Sequence, residues 1–325
     1  MERIVLPPRT DYVDVGKATG LDPKKGITVA GQRRDFTGLR YDYITSTWSR
    51  SDSILVTNVA TREGQRIVAP ALLVTLAQVT NRLVPFEGVL NFRDLGGYES
   101  EDGRRTRWGR LFRSDAMHDL TEDDLVVFRG LGIAAVVDLR SVSEVERTGR
   151  GLLALEAQKF VNVPVLSNYE IHEPREIAFD EDYLSRRYLQ YLDVGAPAFV
   201  RVIEEMTIAD NYPLVFNCFL GKDRTGVLAA LVLSCLGVER LTVVEDYALT
   251  DARVAFIVEK LRRDPVQSDT IDQTDPVLLA AREATMTSFL AEVDERFGGP
   301  VAWARRAGVS SDSIERLHDL LLDEG

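Results

Sequence analysis

The chain reads Asn217-Cys218-Phe219-Leu220-Gly221-Lys222-Asp223-Arg224-Thr225-Gly226 between two apolar segments, Leu214–Phe216 and Val227–Leu236. The first segment is typical of a short buried strand and the second of a buried helix. A turn from a strand into a helix presents successive backbone N–H groups, and the positive end of the helix dipole, to an anion. The stretch therefore predicts an anion-binding turn in an α/β fold.

Side chains in this turn carry reactive chemistry. The positive field of the turn favours the thiolate form of Cys218, which is the nucleophilic form. Arg224 follows six positions later, and its planar guanidinium can hold two phosphate oxygens at once. Thr225 adds a hydroxyl directly after the arginine. Residue types, spacing and flanks together indicate attack on a phosphate ester rather than a buried cysteine in an ordinary turn.

A cysteine, five residues, an arginine and a hydroxyl residue in this context resemble the signature loop of the cysteine-dependent protein tyrosine phosphatase superfamily. The inner Gly-Lys-Asp-Arg-Thr-Gly is similar to the bacterial PtpB-like branch, which is related to phosphoinositide phosphatases. Further family-like elements occur in the same order over about residues 86–323: Asn91–Tyr98, Leu111–Asp115, Gly132-Ile133, Val136–Ser141, Asp246-Tyr247 and Ala307–Val309.

Strand and helix patterns alternate from residue 86 onward. This alternation predicts an α/β fold with a largely parallel central sheet flanked by helices, as in tyrosine phosphatases. Cys218 then falls at the carboxyl end of a strand, where such sheets bind ligands. The predicted strands are Ala134–Asp138, Phe160–Val165 and Leu214–Phe216, and the predicted helices follow Thr121 or cover Tyr183–Leu192 and Pro197–Met206.

Residues 1–85 have a different pattern and lie outside the resemblance. Strand-like runs at Leu39–Trp48, Ser53–Val59 and Arg66–Val79 predict a β-rich N-terminal extension, followed by a catalytic domain at residues 86–325. The role of the extension is open between structural support and a surface for binding or oligomerisation.

Two helical stretches follow the signature. Thr242–Arg263 predicts one long helix that ends at Asp264-Pro265, and Asp275-Pro276 predicts the start of another. Related bacterial phosphatases carry a helical lid here, so the resemblance implies a lid near residues 245–290. The alternative is a pair of ordinary packing helices.

Composition limits the class of protein. The chain has 325 residues, 45% hydrophobic and 28% charged, and a net charge of -12, which argues against general nucleic-acid binding. No run of about 18 apolar residues predicts a membrane span. The N-terminus has no secretory signal pattern, so we expect a cytoplasmic protein, although some relatives are exported without such a signal.

Cysteines and histidines predict neither a disulfide framework nor a metal site. Cys218 and Cys235 are the only cysteines, and Cys235 lies in an apolar helix where it is expected in the core. A regulatory disulfide between the two is the alternative. His118, His172 and His318 are scattered, so no metal or other cofactor is expected.

The resemblance implies a two-step reaction. Cys218 attacks phosphorus to form a cysteinyl-phosphate, which water then hydrolyses. Thr225 stabilises the departing sulfur, and Asp223 is the candidate general acid and base, the alternative being a brace for the loop. Lys222 adds positive charge, the alternative being a solvated side chain. The phosphoryl oxygens are held by the Arg224 side chain and by the N–H groups of Phe219, Leu220, Gly221, Lys222, Asp223 and Arg224.

Four charged groups elsewhere are expected to form structural ion pairs rather than take part in catalysis. Arg93 and Arg113 have Asp94 and Asp115 nearby in sequence, and Arg140 follows Asp138.

The chain departs from the family at two positions. Asn217 stands where most relatives have histidine, and asparagine cannot carry charge, so we expect a less favoured thiolate and slower turnover. Leu166-Ser167-Asn168 stands where relatives place an aspartate. A general acid could then come from one of the acids that follow, which are Glu170, Glu173, Asp180, Glu181 and Asp182.

The interpretation that these patterns favour is a phosphomonoester hydrolase acting on phosphotyrosine in proteins, with dual-specificity or phosphoinositide activity as an extension. Two alternatives stay open, a phosphatase of a small phosphorylated metabolite and a catalytically weak phosphate-binding module. Partners are therefore phosphorylated proteins or small phosphorylated substrates, without nucleic acid, and the oligomeric state is open.

Overall fold

A computed structural model describes residues 82–156, 158–166, 182–263 and 268–324, together with four short strands before residue 68. The chain divides into two compact units, Met1–Pro85 and Phe86–Gly325. The described strands of the first unit form two antiparallel pairs: β1 (Ile27–Val29) with β2 (Gln32–Arg34), and β3 (Val59–Ala60) with β4 (Arg66–Ile67). The predicted strand Leu39–Trp48 lies outside the described residues, as do most of the other two predicted runs.

The second unit is built on one five-stranded sheet in the order β5-β6-β9-β7-β8. Only the β5–β6 pair is antiparallel, and the other three pairs are parallel. The prediction of a largely parallel sheet flanked by helices is therefore confirmed. The strands are β5 (Arg93–Asp94), β6 (Leu111–Ser114), β7 (Ala135–Asp138), β8 (Lys159–Asn162) and β9 (Leu214–Asn217).

The register of the sheet brings three strand ends together. Asn217 is paired with Ser114 on one side and with Asp138 on the other. All four residues of β9 are buried, because this central strand has covered faces and bonded edges. Cys218 follows directly, so the sheet places it at the shared carboxyl edge of β6, β9 and β7.

The helices surround the sheet, and those predicted after Thr121, at Tyr183–Leu192 and at Pro197–Met206 are confirmed as α1, α3 and α4. Thr121 begins α1, and Ser141 begins α2, each with a reciprocal capping box. The helices are α1 (Glu122–Gly130), α2 (Val142–Thr148), α3 (Tyr183–Val194), α4 (Ala196–Glu205), α5 (Asp223–Cys235), α6 (Arg240–Ala248), α7 (Asp251–Arg263), α8 (Ser268–Gln273), α9 (Pro276–Leu279), α10 (Glu283–Phe297), α11 (Pro300–Ala307) and α12 (Ser311–Leu321).

The prediction of one helix over Thr242–Arg263 is wrong in its continuity. The segment is divided between α6 and α7, with a break at Leu249-Thr250. No glycine or proline marks the break, which is tertiary in origin: Thr250 is buried, and its hydroxyl accepts hydrogen bonds from Asn91 Nδ2 (3.4 Å) and Arg93 Nη2 (3.2 Å). The later helix does begin at Pro276, where the Asp275 carboxylate accepts from Val277 N–H.

The core is formed around α5, whose residues from Thr225 to Leu233 are all buried. Within the described ranges, every helix is too short or too polar to span a bilayer.

Truncation of α5 tests this central position. Leu231 is fully buried, so Leu231→Ala should lower the free energy of unfolding by about 2–5 kcal/mol through lost contacts and a residual cavity. Leu241 is 58% exposed and serves as the control, with an expected change within about 0.5 kcal/mol. Urea unfolding followed by circular dichroism measures both, and equal losses would contradict the assignment of α5 to the core.

Candidate active site

Cys218 lines a cavity of about 560 Å³ at the carboxyl edge of the sheet. The turn between β9 and α5 supplies Cys218, Phe219, Leu220, Asp223 and Arg224 to its wall. The structure therefore brings five of the predicted site residues together around one cavity, whereas Gly221, Lys222 and Thr225 do not line it. The other lining residues include Ser141, Glu144, Tyr183, Arg187, Tyr191, Thr274 and Leu278.

The carbonyl groups of the turn are held on its outer side. Phe219 O accepts from Ala116 N–H (3.0 Å), and Leu220 O accepts from Asn91 Nδ2 (3.0 Å). Gly221 O accepts from Arg113 Nη2 (2.8 Å) and Asn91 Nδ2 (3.2 Å).

In a trans peptide unit, the carbonyl and the following N–H point in opposite directions. The N–H groups of residues 220–222 therefore point away from the groups that donate to the carbonyls. Across the described part of the chain, none of the N–H groups of residues 219–224 donates to a protein acceptor. The turn thus presents a row of backbone donors together with the start of α5, which is the arrangement that binds an oxyanion.

Two glycines allow the turn and the start of α5 to pack closely against neighbouring residues. Gly221 has a φ of +67°, and a Cβ there would lie 2.6 Å from the backbone of Ser114 and Asp115. A Cβ on Gly226 would lie 2.8 Å from the ring of Tyr247. No larger residue fits at Gly221, because it would meet both a strained backbone and fixed backbone atoms.

Behind the turn lies a buried ion triad, Arg93–Asp246–Arg113. Arg93 Nε is 3.1 Å from Asp246 Oδ1, Arg113 Nη1 is 2.5 Å from Asp246 Oδ2, and all three side chains are at most 1% exposed. Burial opposes the ionised form of Asp246, but the two arginines outweigh it and hold the pKa of that carboxyl well below its usual range. Burial, together with the charge of Arg93, lowers the pKa of Arg113 to about 10.

The expectation of structural ion pairs is confirmed, but the expected partners of these two arginines are wrong. Asp94 accepts from Gly96 N–H and Gly109 N–H, and Asp115 accepts from the N–H groups of Leu90 and Asn91. The true partner, Asp246, lies more than 130 residues away in sequence. Only folding brings it between the two arginines.

Arg224 is held by a residue that the sequence analysis missed. Its Nη1 and Nη2 donate to Glu144 Oε2 (2.6 Å) and Oε1 (2.8 Å). Glu144 Oε2 also accepts from Ser141 N–H (2.7 Å), so one carboxylate caps α2 and orients the arginine. The signal was present, since Ser141-Val142-Ser143-Glu144 has the S-x-x-E pattern of a capping box.

The electrostatics of this pair are strongly coupled. Burial alone would raise the pKa of the Glu144 carboxyl, but Arg224 and the Ser141 N–H outweigh it and lower that pKa to about 2. Burial opposes the charged form of Arg224 as well, but Glu144 and the nearby Cys218 outweigh it and raise its pKa above the ordinary value. Arg224 therefore keeps its charge beside Cys218.

Asn217 and its neighbours complete the strand edge. Asn217 Nδ2 donates to Asp138 Oδ1 and Cys218 O, both at 3.3 Å, while Asn217 Oδ1 has no partner among the described residues. Asp138 is paired with Arg140 at 2.6 Å, as expected. The slower turnover that Asn217 should cause stays a prediction.

Lys222 is not the solvated side chain that the alternative predicted. It is 1% exposed rather than solvated, and its Nζ donates to Leu278 O (2.7 Å) and Ala280 O (3.2 Å), outside the cavity. The same Nζ is 3.0 Å from Asp223 Oδ1, and Asp223 is partly exposed in the cavity wall. The side chain of Lys222 thus connects the turn to the C-terminal end of α9.

Thr225 and the second cysteine lie in the core. Thr225 Oγ1 is buried and has no hydrogen-bond partner in the described ranges. Cys235 ends α5 and lies 12 positions after Asp223, a rise of ~18 Å along the helix. Cys218 lines the cavity together with Asp223 at the start of α5, so no disulfide between the two cysteines is sterically allowed. The regulatory disulfide is therefore excluded, and burial raises the pKa of the Cys235 thiol to about 11.

The remaining expected groups are scattered. His318 contacts Cys235 O, His118 stacks on Phe219, and His172 lies outside the described residues. No group of three metal-ligating side chains occurs in the described part of the chain. Of the candidate acids near residue 170, only Asp182 is described, and it is exposed before α3.

The lid candidate contacts the turn. Ile257, Leu261 and Ile271 from α7 and α8 form an apolar cluster against which Phe219 and Leu220 pack. Thr274 and Leu278 reach the cavity itself.

Residues 84–323 match the sequence profile of the tyrosine phosphatase family. This chain belongs to that family. The phosphatase is 27% identical to the triple specificity protein phosphatase PtpB of Mycobacterium tuberculosis, over 72% of this chain and 97% of the relative. It is 25% identical to a tyrosine-protein phosphatase of Nostoc commune, over 61% of this chain and 69% of the relative. The chain is therefore a cysteine-dependent phosphatase of the tyrosine phosphatase type.

The Glu144–Arg224 pair predicts a pH dependence of the phosphatase's stability. The folded-state pKa of Glu144 is depressed, so its contribution is present above the ordinary pKa of 4.5 and is lost as the pH falls toward 2. Glu144→Gln should lower the free energy of unfolding by about 2 kcal/mol at pH 7, and the gap to wild type should narrow below pH 4.5.

Urea unfolding between pH 7 and pH 3 measures this difference. Glu259→Gln is the control, because Glu259 forms an exposed pair with Arg263 within α7, and its effect should stay within about 0.5 kcal/mol. A gap that is constant over the whole pH range would contradict the role of Glu144.

Proposed function

We propose that Cys218 is the nucleophile and that Arg224, with the backbone N–H groups of residues 219–224, binds the phosphoryl group. The observation that carries this assignment is the set of hydrogen bonds that hold the carbonyls of Phe219, Leu220 and Gly221. The N–H groups that follow these carbonyls point in the opposite direction, which we propose is toward the phosphoryl group on Cys218. Fixed donors of this kind stabilise a transferring phosphoryl group without reorganisation during the reaction. Arg224 adds the guanidinium group of the turn, which can donate two parallel hydrogen bonds to phosphoryl oxygens.

The reaction then proceeds in two displacements. The Cys218 thiolate attacks phosphorus while the bond to the ester oxygen breaks, and the product is a cysteinyl-phosphate. Water attacks this intermediate, and the thiolate leaves. When phosphate binds, Arg224 keeps the orientation that Glu144 imposes, because the carboxylate fixes the guanidinium plane. Thr225, whose hydroxyl has no partner in the described ranges, is placed just after Arg224 and is proposed to stabilise the thiolate.

Asp223 is the proposed general acid of the first step and general base of the second. It lies in the same cavity wall as Cys218 and exposes part of its carboxylate there. A single carboxyl can serve in both steps, since the proton it gives to the leaving oxygen is recovered from water. Lys222 balances its charge from outside the cavity.

The substrate that we propose is phosphotyrosine in proteins, with phosphoserine, phosphothreonine or phosphoinositides as further substrates. The cavity of about 560 Å³ is much larger than one phosphoryl group, and Tyr183, Leu184 and Tyr191 give it an apolar wall that suits an aromatic ring. The relative from M. tuberculosis carries the name triple specificity protein phosphatase. A thiolate nucleophile suits a reducing compartment, and we propose the cytoplasm.

The helices α7–α9 are the proposed lid over this cavity. The apolar cluster of Ile257, Leu261 and Ile271 covers Phe219 and Leu220, and α9 supplies Leu278 to the cavity wall. A cover of this kind would limit which substrates reach Cys218.

Hydrolysis of p-nitrophenyl phosphate tests the nucleophile. Wild type should be active without added metal and in the presence of EDTA between pH 5 and 8, and Cys218→Ser should lose at least about 10³-fold in kcat, because a neutral hydroxyl replaces the thiolate. Cys235→Ser is the matched control, since Cys235 is buried at the far end of α5, and it should retain activity within about threefold.

Loss of activity in both cysteine variants, or activity of wild type only with added metal, would contradict the cysteine mechanism. Vanadate binding to Cys218→Ser reports whether the oxyanion site is intact. An inactive wild type that still binds vanadate would identify the chain as a phosphate-binding module.

A substrate panel tests the substrate class. We expect kcat/KM for phosphotyrosine peptides to exceed that for sugar phosphates and nucleotides by at least about 10²-fold, because the apolar wall contributes binding only for an aromatic group. The panel also contains phosphoserine peptides and phosphoinositides. Preference for one small phosphorylated metabolite would overturn the proposed substrate and favour the alternative that Asn217 marks a specialised branch.

A further inference from the structure

A chain of buried phenols leads to the candidate acid Asp223. Tyr188 lies on α3, is fully buried, and its hydroxyl is 2.7 Å from Asp223 Oδ1. The same hydroxyl is 2.7 Å from the hydroxyl of Tyr247 on α6. Neither tyrosine lines the cavity, and the hydroxyl groups of both connect to it through Asp223.

The donors in this chain have a defined direction. An ionised carboxylate only accepts, so Tyr188 must donate its single proton to Asp223 Oδ1. Tyr247 must therefore donate to Tyr188. Burial, reinforced by the charge of Asp223, raises the pKa of both phenols above the ordinary value, so both keep their protons.

The two oxygens of Asp223 are therefore unequal. Oδ1 accepts from Tyr188 and lies 3.0 Å from Lys222 Nζ. Among the described residues, Oδ2 accepts no hydrogen bond. A proton on the carboxyl is better placed on Oδ2, because a proton on Oδ1 would oppose both the phenol donor and the ammonium.

We propose that Tyr188 is a positioning residue for the phosphatase reaction, which holds Asp223 by Oδ1 and so makes Oδ2 the oxygen that exchanges protons with the substrate and water. This inference rests on the proposed role of Asp223 as general acid and base. Tyr247 supports Tyr188 from behind.

The proton balance follows the two displacements. In the first, the bond between Cys218 Sγ and phosphorus forms, the bond to the ester oxygen breaks with its electron pair on that oxygen, and the proton of Oδ2 moves to it. In the second, a water oxygen bonds to phosphorus, its proton moves to Oδ2, and the S–P electron pair returns to Sγ. Asp223 is restored to its starting state, so no other reactant is required.

Leaving-group dependence separates positioning from folding. General-acid help matters most when the leaving oxygen is a strong base, as in phenyl phosphate, and least for p-nitrophenyl phosphate. Tyr188→Phe should lose about tenfold in kcat/KM, which reports the first displacement, on phenyl phosphate and less than about threefold on p-nitrophenyl phosphate, because it removes one hydrogen bond to a charged group. The ring contacts of Tyr188 with Tyr247 and Phe289 remain in the variant.

Three further variants make the experiment decisive. Asp223→Asn should show the same leaving-group pattern with a larger loss, and adding Tyr188→Phe to it should cost nothing more. Tyr247→Phe should show a smaller selective loss on phenyl phosphate. This variant tests the positioning role if Tyr188→Phe does not fold. Tyr212→Phe removes another buried phenol, one that donates to Met206 O, and should affect both substrates equally or not at all.

The outcomes separate this inference from the proposed function. If Asp223→Asn lowers kcat/KM equally for both substrates, Asp223 is not the general acid, and its proposed role fails together with this inference. If Asp223→Asn is selective but Tyr188→Phe and Tyr247→Phe are not, Asp223 keeps its role and the positioning by Tyr188 is overturned. The positioning role of Tyr188 is supported if Tyr188→Phe and Tyr247→Phe lose activity selectively on phenyl phosphate. It also requires that Tyr188→Phe cause no further loss when it is added to Asp223→Asn.

Discussion

The active-site turn depends on one buried interaction, the triad of Arg93, Asp246 and Arg113. Two cations on one carboxylate are costly to bury, and the structure offsets that cost with hydrogen bonds from every guanidinium nitrogen of the two arginines except Arg113 Nε, which has no partner in the described ranges. Arg113 donates one hydrogen bond to Gly221 O. Arg93 donates to Asn91 Oδ1 and so orients the side chain that donates to Leu220 O. The shape of the anion site is therefore set by charges that never reach the cavity.

The phosphatase concentrates positive charge in a protein whose net charge is -12. Two cations of the turn have a carboxylate partner: Arg224 has Glu144, and Lys222 has Asp223. These pairs differ in consequence. Glu144 orients the guanidinium beside Cys218, whereas Lys222 pairs with Asp223 and connects the turn to carbonyls at the end of α9. Backbone donors at the start of α5 supply the rest of the anion site without any added charge.

Local patterns predicted much of the fold. The strands around Val136, Val161 and Val215 and the helices after Thr121 and Tyr183 are found where expected, because apolar runs and helix caps are local signals. The single helix over Thr242–Arg263 was wrong, since the break at Thr250 is imposed by Asn91 and Arg93, which are distant in sequence. The partners of Arg93 and Arg113 were wrong for the same reason. The solvated alternative for Lys222 was wrong because its partners, Leu278 O and Ala280 O, lie at the end of α9, more than 50 residues away in sequence.

The sequence by itself determined the chemistry proposed for the turn, because the order of Cys218, Arg224 and Thr225 between a strand and a helix indicates both the proposed reactive groups and their local backbone. It also determined the α/β class through the alternation of apolar strands and helices. Only the tertiary structure decided which residues serve that turn from outside: Asp246 between the arginines, Glu144 on Arg224, and Tyr188 on Asp223. Ion pairs and hydrogen bonds between distant segments produce no local pattern in a sequence. Their partners come together only when the chain has folded and the sheet has aligned the ends of its strands.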